Sequence, residues 1–315
     1  MTTISTDISY PVGVRALLVD ETARRRKLEA RVVDRFEASG YGEIILPMID
    51  FVEPYAALGD AASGPERYRF TDREGELVAI RSDFTPMVAR VLAPALGTLD
   101  LPLRVFYRGD VIRWGKSRLG LNREFFQIGI ESIGADSAEA DIEMLTIAAE
   151  TAAAIGQAPT ITWTDVSLAE SLLEAIPEQS RLAIRRALAN KQTGELAPFR
   201  DLLASEPWEI LRHLIAGSID TAMLSRFAPT SALADRIETT RRAVSSIRAA
   251  RIVLTLDDLD ETSSYYTGLR FRIFTGGRQS PVGGGGRYDR LYGFFGRSAP
   301  AIGFTLSLDE LEQSS

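Results

Sequence analysis

The chain has 315 residues, 45% of them hydrophobic, and a formal net charge of −7. This length allows two domains and a sizeable core. No apolar run approaches the ~18 residues that a membrane-spanning helix needs. The N-terminal sequence lacks the basic-then-apolar pattern of a secretion signal, so we expect a cytoplasmic protein without a membrane partner. The acidic balance argues against a large nucleic-acid-binding surface.

The scarcity of two residue types excludes several kinds of catalytic and metal site. The chain has no cysteine, which rules out disulfides, thiolate metal sites and a cysteine nucleophile. His213 is the single histidine and lies in an amphipathic helical pattern. A zinc site or a histidine-based triad is therefore not expected. We predict no catalytic residue, no metal and no cofactor.

The first third of the chain predicts a helix, a short strand and a hairpin. Apolar residues recur at helical spacing over 15–39, and Gly40 is a natural stop. A strand over 43–46 ends at Pro47. This helix and strand form either a dimer surface or ordinary core. A hairpin is predicted over 68–81.

Two polar residues follow this hairpin at a strand-to-helix junction. Asp83 and Thr85 precede a helix that is predicted over 87–96. Both residue types cap helices well, so capping is the favoured local explanation. Contact with a ligand is the alternative.

The chain is organised around residues 103–134, which read as a strand, an arginine-rich loop and a second strand. Alternate side chains of the second strand lie on opposite faces of a sheet. One face is apolar; on the other, Gly129 leaves space between the amide of Gln127 and the carboxylate of Glu131. We interpret this face as the floor of a small polar pocket, and a hairpin with one solvated face is the alternative. The loop carries four cations that can hold a carboxylate or phosphate, namely Arg113, Lys116, Arg118 and Arg123.

The pattern then changes to helices and later returns to strands. A helix is predicted over 137–156, and residues 167–250 show helical periodicity with little strand signal. Residues 251–315 return to strands and include four glycines at 283–286, which permit a close backbone approach or a tight bend. We predict an α+β fold in which a core formed by 1–166 and 251–315 is interrupted by a helical insertion at 167–250.

Six segments of the chain, in order, resemble the catalytic core of histidyl-tRNA synthetase, a class II aminoacyl-tRNA synthetase. The resemblance implies a mostly antiparallel sheet flanked by helices, and a dimer formed through motif 1. The segments resemble motif 1, the substrate loop, motif 2, two histidine signatures and motif 3, and they read GYGEIILPMID, IRSDFTP, VIRWGKSRLGLNREFFQIGIESIG, SYYTGLRF, GGGGRYDRLYG and AIGFTLSLDEL.

The resemblance also implies a histidine-binding pocket that coincides with the polar strand face. This agreement favours a ligand role for the polar residues of that strand and moves the two residues at the junction from capping towards ligand contact. Asp83 is one methylene shorter than the family's usual Glu, which would weaken or reshape the site. The positions that the family uses to hold histidine are occupied by Asp83, Thr85, Arg113, Gln127, Glu131, Tyr265 and Tyr266.

Two positions depart from the adenylation machinery of the synthetase. Glu310 stands where motif 3 carries the arginine that grips ATP, and Glu261 begins the run that replaces the family's Arg-Gly-Leu-Asp. A carboxylate repels a triphosphate at close range, and phosphoryl chemistry depends on charge neutralisation. We therefore expect adenylation to be lost. The chain also ends where the synthetase begins its anticodon-binding domain, so no tRNA partner is expected.

A synthetase core with these departures resembles the regulatory subunits of ATP phosphoribosyltransferase. That resemblance implies a non-catalytic chain that dimerises and assembles with the short-form catalytic subunit into a hetero-octamer. It would activate the first step of L-histidine biosynthesis and help transmit feedback inhibition by L-histidine. Histidine would bind either the synthetase-like pocket or a site between subunits. A minimal synthetase or carrier ligase, and a regulator of another partner, are the alternatives.

Overall fold

The computed structural model describes residues 10–58, 67–114, 122–156, 158–174, 176–258 and 266–312. The strands are β1 Gly42–Glu43, β2 Ile49–Phe51, β3 Arg69–Thr71, β4 Leu77–Ile80, β5 Leu103–Ile112, β6 Glu124–Ile133, β7 Thr160–Asp165, β8 Arg251–Leu254, β9 Leu269–Phe274, β10 Gly283–Arg287 and β11 Ala301–Ser307. The α-helices are α1 Val19–Ala38, α2 Thr85–Leu92, α3 Ala138–Ile155, α4 Ser167–Leu173, α5 Glu178–Ala189, α6 Thr193–Leu196, α7 Ser205–Ala216, α8 Thr221–Arg226, α9 Ala228–Val244 and α10 Leu308–Glu312.

An eight-stranded sheet forms the centre of the molecule, in the order β1-β5-β6-β11-β10-β9-β7-β8. Its pairs are antiparallel except for β1 with β5 and β7 with β8. Helices α1 and α3 cover one face. The predicted α+β fold, with a mostly antiparallel sheet flanked by helices, is confirmed.

The covered face of the sheet carries the main hydrophobic core. Ile128 and Ile130 of β6 are fully buried there, together with Phe36 of α1. The ring of Phe36 meets Phe304 edge-on at a centroid distance of 5.7 Å and Phe106 at 6.0 Å. The apolar face read from the alternation in β6 is therefore the core face.

A second, three-stranded sheet has the order β2-β4-β3, and its β3–β4 hairpin lies where the sequence predicted one. The strand predicted over 43–46 is shorter, since only Gly42 and Glu43 pair with β5. Pro47 has no N–H to extend such a ladder. Beyond this short pairing, Ile45 is 91% exposed. The segment therefore presents an apolar side chain to solvent.

Strand β10 contains the four consecutive glycines and lies between β9 and β11. Of the two alternatives predicted for these glycines, the close backbone approach is confirmed and the tight bend is wrong. A Cβ on Gly285 would lie 2.0 Å from the carbonyl oxygen of Gly303, and one on Gly286 would lie 2.3 Å from that of Leu269. Contacts this short leave no room for a side chain.

Helix α2 begins at Thr85 and ends at Leu92, earlier at both ends than the predicted 87–96. A 3₁₀ turn over Ala93–Ala95 continues it. Pro94 in this turn cannot donate an α-helical hydrogen bond, which accounts for the early end.

The segment over 167–250 is helical from α4 to α9, as its periodicity predicted. Its buried side chains, such as Leu168 and Leu211, belong to the same hydrophobic cluster as the core face of the sheet. The domain boundaries at 166 and 250 stay a prediction. Within the described residues, no helix is both long enough and apolar enough to cross a membrane.

Candidate functional site

The site lies on the sheet face opposite the main core. Gln127, Gly129 and Glu131 lie on this face, since the core face takes the residues between them. Across β11 they are paired in register with Ser307, Thr305 and Gly303 respectively. Across β5, Glu131 is paired with Val105 and Gly129 with Tyr107. The predicted polar face therefore exists, and it is buried: Gln127 is 7% exposed and Glu131 is 1% exposed.

The Glu131 carboxylate is the centre of this face. Its Oε1 accepts hydrogen bonds from the Thr85 hydroxyl at 2.7 Å and from the Tyr107 hydroxyl at 3.2 Å. Its Oε2 has no hydrogen-bond partner among the described residues. A Cβ on Gly303 would lie 1.8 Å from Oε2, so glycine there leaves room for the carboxylate. One oxygen is held by two hydroxyl groups, and the other is buried without a hydrogen-bond partner among the described residues.

Burial raises the pKa of the Glu131 carboxyl to about 8. The hydrogen bond from Thr85 opposes this rise, the negative charge of Asp83 adds to it, and the hydrogen bond from Tyr107 again opposes it. Desolvation disfavours the charged form of an acid, and a neighbouring carboxylate does the same. Both effects favour the protonated, neutral form of Glu131.

The space above Gly129 is not empty, contrary to the interpretation from the sequence. A Cβ on Gly129 would lie 2.6 Å from the Tyr107 hydroxyl oxygen. The Tyr107 ring also stacks on Phe84 with a centroid distance of 4.4 Å and an interplanar angle of 10°. Because Gly129 has no side chain, the phenol of Tyr107 can lie over β6 and donate to Glu131.

The start of α2 and the end of β5 bring three predicted residues close together: Asp83 precedes α2, Thr85 begins it, and Arg113 follows β5. Asp83 accepts a hydrogen bond from the Thr85 backbone N–H at 3.3 Å, as a capping residue does. The Thr85 hydroxyl instead reaches Glu131 across the pocket. Arg113 donates from Nε to the carbonyl of Ser82 at 2.7 Å. The N-cap residue of α2 is Phe84, which makes no side-chain cap bond. Asp83, one residue earlier, accepts from the first helical N–H, and the Thr85 side chain does not cap the helix.

Arg81 fixes this loop to the rest of the sheet. Its guanidinium donates to the Asp110 carbonyl at 2.8 Å and 3.0 Å, to the Leu46 carbonyl at 3.0 Å and to the Pro47 carbonyl at 3.2 Å. It also lies 4.0 Å from the ring centre of Phe84. Burial lowers the pKa of this guanidinium. Arg81 therefore joins the loop to β5 and to the segment between β1 and β2.

Of the two tyrosines predicted to contact histidine, Tyr266 lies among the described residues. Tyr266 is half-buried and packs near Gly286, where a Cβ would lie 2.9 Å from its Cδ1. Tyr265, Lys116, Arg118 and Glu261 lie outside the described residues.

Glu310 is buried at the start of α10, with 2% exposure. It forms an ion pair with Arg278, which follows β9, and Arg278 also donates to the Glu310 carbonyl at 2.9 Å. Burial raises the pKa of Glu310, and the charge of Arg278 opposes that rise. The place that the resemblance assigns to an ATP-gripping arginine thus contains an internal ion pair.

Metal ligation finds no support among the described residues, where no group of three His, Cys, Asp or Glu could hold an ion. His213 lies on α7, and its Nδ1 is 2.8 Å from the Ser218 hydroxyl. This contact gives the single histidine a local structural role.

Sequence reasoning missed three residues of the site, namely Tyr107, Gly303 and Arg278. A signal for Gly303 exists, because β11 alternates apolar residues with Gly303, Thr305 and Ser307. Tyr107 and Arg278 carry no local signal, since their roles depend on the pairing of distant segments.

Comparisons with known proteins agree with this geometry. A family model described as histidyl-tRNA synthetase matches residues 13–311. The ATP phosphoribosyltransferase regulatory subunit of Moorella thermoacetica is 32% identical over 316 residues, which cover 96% of this chain and 81% of that protein.

Two solved structures extend the comparison. A Bacillus halodurans structure, described as an ATP phosphoribosyltransferase regulatory subunit/histidyl-tRNA synthetase, aligns with a TM-score of 0.85 at 24% identity and covers 99% of this chain and 84% of that one. A chain of an ATP phosphoribosyl transferase complex from Thermotoga maritima aligns with a TM-score of 0.68 at 18% identity, over 90% of this chain and 97% of that one. At these identities the two structures support the fold alone.

The fold and the family match define a class II aminoacyl-tRNA synthetase-like protein of the histidyl type. Within that class, the sequence identity to the Moorella protein extends over most of both chains and identifies the family more narrowly. The chain belongs to the family of ATP phosphoribosyltransferase regulatory subunits. The prediction of a regulatory chain instead of an enzyme is confirmed at the level of this family.

We expect the buried Glu131 to make stability depend on pH. Its pKa is about 8 in the folded protein and about 4.3 in an unfolded chain, so the folded state retains a proton between these values. The free energy of unfolding should therefore fall with rising pH in this window, by up to about 1.4 kcal/mol per pH unit relative to Glu131→Gln. Urea unfolding from about pH 5.5 to pH 7.5 measures the difference.

Glu124→Gln is the matched control, because Glu124 lies on the same strand and is exposed. This control should follow the wild-type pH dependence. Parallel curves for wild type and Glu131→Gln would contradict the assignment.

Proposed function

We propose that this chain is a non-catalytic regulatory subunit that binds and activates the short-form catalytic ATP phosphoribosyltransferase. The reaction is the first step of L-histidine biosynthesis, and the chain takes part in its feedback inhibition by histidine. Family membership supports the regulatory role. The likeness to a chain of the Thermotoga maritima ATP phosphoribosyl transferase complex is consistent with a catalytic partner.

One observation carries the proposal: the amino-acid end of the site is kept, while its nucleotide end is altered. At the first end, Thr85 and Tyr107 hold one oxygen of Glu131, and the other has no hydrogen-bond partner among the described residues. At the second, the buried Glu310 is paired with Arg278. Arg278 is committed to that carboxylate, so the pair offers no free charge to a triphosphate. Such a site suits recognition of an amino acid without its activation.

We propose L-histidine as the ligand of this pocket. Asp83 and Glu131 supply negative charge for its ammonium group, and Arg113 supplies positive charge for its carboxylate. The side-chain oxygen Oε1 of Gln127 is buried and has no hydrogen-bond partner among the described residues. The proposed contacts are Asp83, Thr85, Arg113, Gln127, Glu131, Tyr265 and Tyr266.

The proposed mechanism is linkage between histidine binding and assembly. Histidine inhibits only if it binds one assembly state more tightly than another, and the coupling is then reciprocal. We propose a cytoplasmic hetero-octamer of four regulatory and four catalytic chains, built on a regulatory dimer. Exposed apolar side chains support the dimer surface at the motif 1-like region, with Ile45 91%, Ile49 49% and Phe51 47% exposed.

The direct test is formation of phosphoribosyl-ATP by a short-form catalytic subunit from the same source. We expect addition of this chain to raise the rate and added histidine to reverse the rise. No activation, combined with failure of the two chains to co-elute, would reject the proposed partner. Histidine-dependent ATP–pyrophosphate exchange by this chain would instead indicate a synthetase activity.

Removal of a hydrogen-bonding group from the pocket should weaken histidine binding. Gln127→Leu and Thr85→Val each remove such a group, and one lost buried hydrogen bond of about 1–3 kcal/mol corresponds to about 5- to 150-fold in affinity. Calorimetric titration measures this change. The control is Thr239→Val on α9, whose hydroxyl bonds only the exposed backbone of its own helix. Unchanged affinity in both pocket variants would place the histidine site elsewhere, such as between subunits.

A charge on the proposed dimer surface should weaken self-association. Ile45→Asp would bury an unpaired carboxylate in the interface and raise the dimer dissociation constant by at least about tenfold. Sedimentation velocity over a concentration series measures it. Leu182→Asp is the control, because Leu182 is 51% exposed and lies on α5, within the helical segment 167–250. Equal dissociation constants for the two variants would exclude the motif 1-like surface.

A further inference from the structure

Helix α5 ends with a lysine in a backbone conformation that normally selects glycine. Its last turn closes as a Schellman motif, in which the Gln192 N–H donates to the Ala187 carbonyl at 2.9 Å and the Lys191 N–H to the Leu188 carbonyl at 3.1 Å. The motif requires a left-handed residue, and Lys191 has a φ of 53°. A side chain makes this region unfavourable, so glycine is the usual choice there.

Helix α7 closes with the same motif and carries the expected glycine. The Ser218 N–H donates to the His213 carbonyl at 3.0 Å and the Gly217 N–H to the Leu214 carbonyl at 3.2 Å, and Gly217 has a φ of 64°. The chain therefore uses glycine at one of these two helix ends and lysine at the other. Closure of α5 by itself does not explain its lysine.

Both helix ends meet Asp257, which lies in the turn after β8. Lys191 Nζ is 2.5 Å from Oδ2 of Asp257, and a Cβ on Gly217 would lie 3.2 Å from the same oxygen. The C-terminal end of a helix carries partial negative charge, which repels a carboxylate and attracts a cation. Lys191 thus neutralises a place where a carboxylate and two helix ends converge. Without this cation, Asp257 and the end of α7 should separate.

The next residue, Asp258, is bound to the central sheet. Its carboxylate lies 3.2 Å from Nη2 of Arg272 and 3.8 Å from Nη1 of Arg270, and Arg270 also donates to its carbonyl at 3.2 Å. Both arginines belong to β9. The register across β10 and β11 places Arg270 in one row with Gly303 and Glu131, on the sheet face of the pocket. Two adjacent carboxylates therefore join the helical segment to this face.

The stability of an exposed ion pair does not account for the lysine. The side chains of Lys191 and Asp257 are 53% and 26% exposed. Such a pair contributes little to stability, and a side chain in the left-handed region has a comparable cost. Salt also screens an exposed pair. The contact therefore suits a closure that opens and shuts better than it suits a permanent brace.

We propose that Lys191 and Asp257 form an electrostatic clip, which closes the end of the helical segment 167–250 onto the turn 255–258. The closed clip holds the neighbouring Asp258 against the arginines of β9. Opening the clip loosens this attachment. Lys191 is thus a positioning residue that acts on the sheet through the two aspartates.

Opening of the clip should also weaken histidine binding in the pocket. The arginines of β9 share the sheet face of the pocket, and Tyr266, a proposed histidine contact, follows the turn in the sequence. This effect rests on the proposed function of the pocket, whereas the closure itself does not.

The experiment is amide hydrogen exchange of the full chain, followed at Gly217 and at Asp258, whose N–H donates to the Thr255 carbonyl at 3.1 Å. Lys191→Gly removes the charge and suits the left-handed backbone, so α5 should stay intact by circular dichroism. We expect protection at both amides to fall about fivefold in this variant. About 1 M NaCl should produce a similar fall in the wild type and none in the variant.

The control is Arg241→Ala on α9, whose ion pair with Glu238 has side chains 53% and 25% exposed and therefore matches the clip in exposure. It should leave protection at the two amides unchanged. Unchanged protection in Lys191→Gly would overturn the clip, as would an equal fall in the control.

Exchange of the two charges provides a rescue that packing or helix termination would not produce. Lys191→Glu should lower protection further, because two carboxylates then face each other. Addition of Asp257→Lys to this variant restores an ion pair and should return protection close to the wild-type value. Protection that stays low in the double variant would overturn the clip.

Calorimetric titration with L-histidine tests the effect on the pocket. We expect Lys191→Gly to weaken histidine binding about fivefold and the charge-exchanged double variant to restore it. Unchanged affinity together with lowered protection would overturn the link between the clip and the pocket. Absence of histidine binding to the wild-type chain would reject the proposed ligand, and the exchange measurement would still decide the clip.

Discussion

The pocket depends on one buried cation, Arg81. Its guanidinium is bound by carbonyl oxygens of Leu46, Pro47 and Asp110, so two segments distant in sequence are fixed to one planar group. Five N–H donors in a rigid fork suit this task better than a lysine would. Phe84 lies under the same guanidinium and stacks on Tyr107, which reaches Glu131. The position of the Glu131 carboxylate is thus set by Arg81, which does not contact it.

The position at which the resemblance expects an ATP-binding arginine contains the buried carboxylate of Glu310. A carboxylate placed in a buried site without a partner would be strongly destabilising. Arg278 supplies that partner to Glu310 and also binds its backbone carbonyl. Glu310 is therefore part of the folded structure through this ion pair, whereas Oε2 of Glu131 has no such partner among the described residues.

The sequence predicted those features that depend on local periodicity. The alternation in β6 assigned Gln127 and Glu131 to one face, and the helix predicted over 137–156 is observed as α3 over Ala138–Ile155. It could not predict contacts between distant segments. The Thr85 hydroxyl appeared suited to its own helix, yet its acceptor lies 46 residues away. The space over Gly129 is filled from β5, a fact that only the strand register reveals.

The run of four glycines in β10 affects how this strand is held in register with its neighbours. Four identical residues in a row give a strand no side-chain pattern, so a shift by one residue would exchange glycine for glycine on both faces. The alignment must come from the residues at its two ends. Val282 pairs with Ile273 and Ser307 through its backbone, and Arg287 binds Asp141 of α3 at 2.7 Å. The central strand is thus kept in place from outside, by a hydrophobic residue at one end and a buried ion pair at the other.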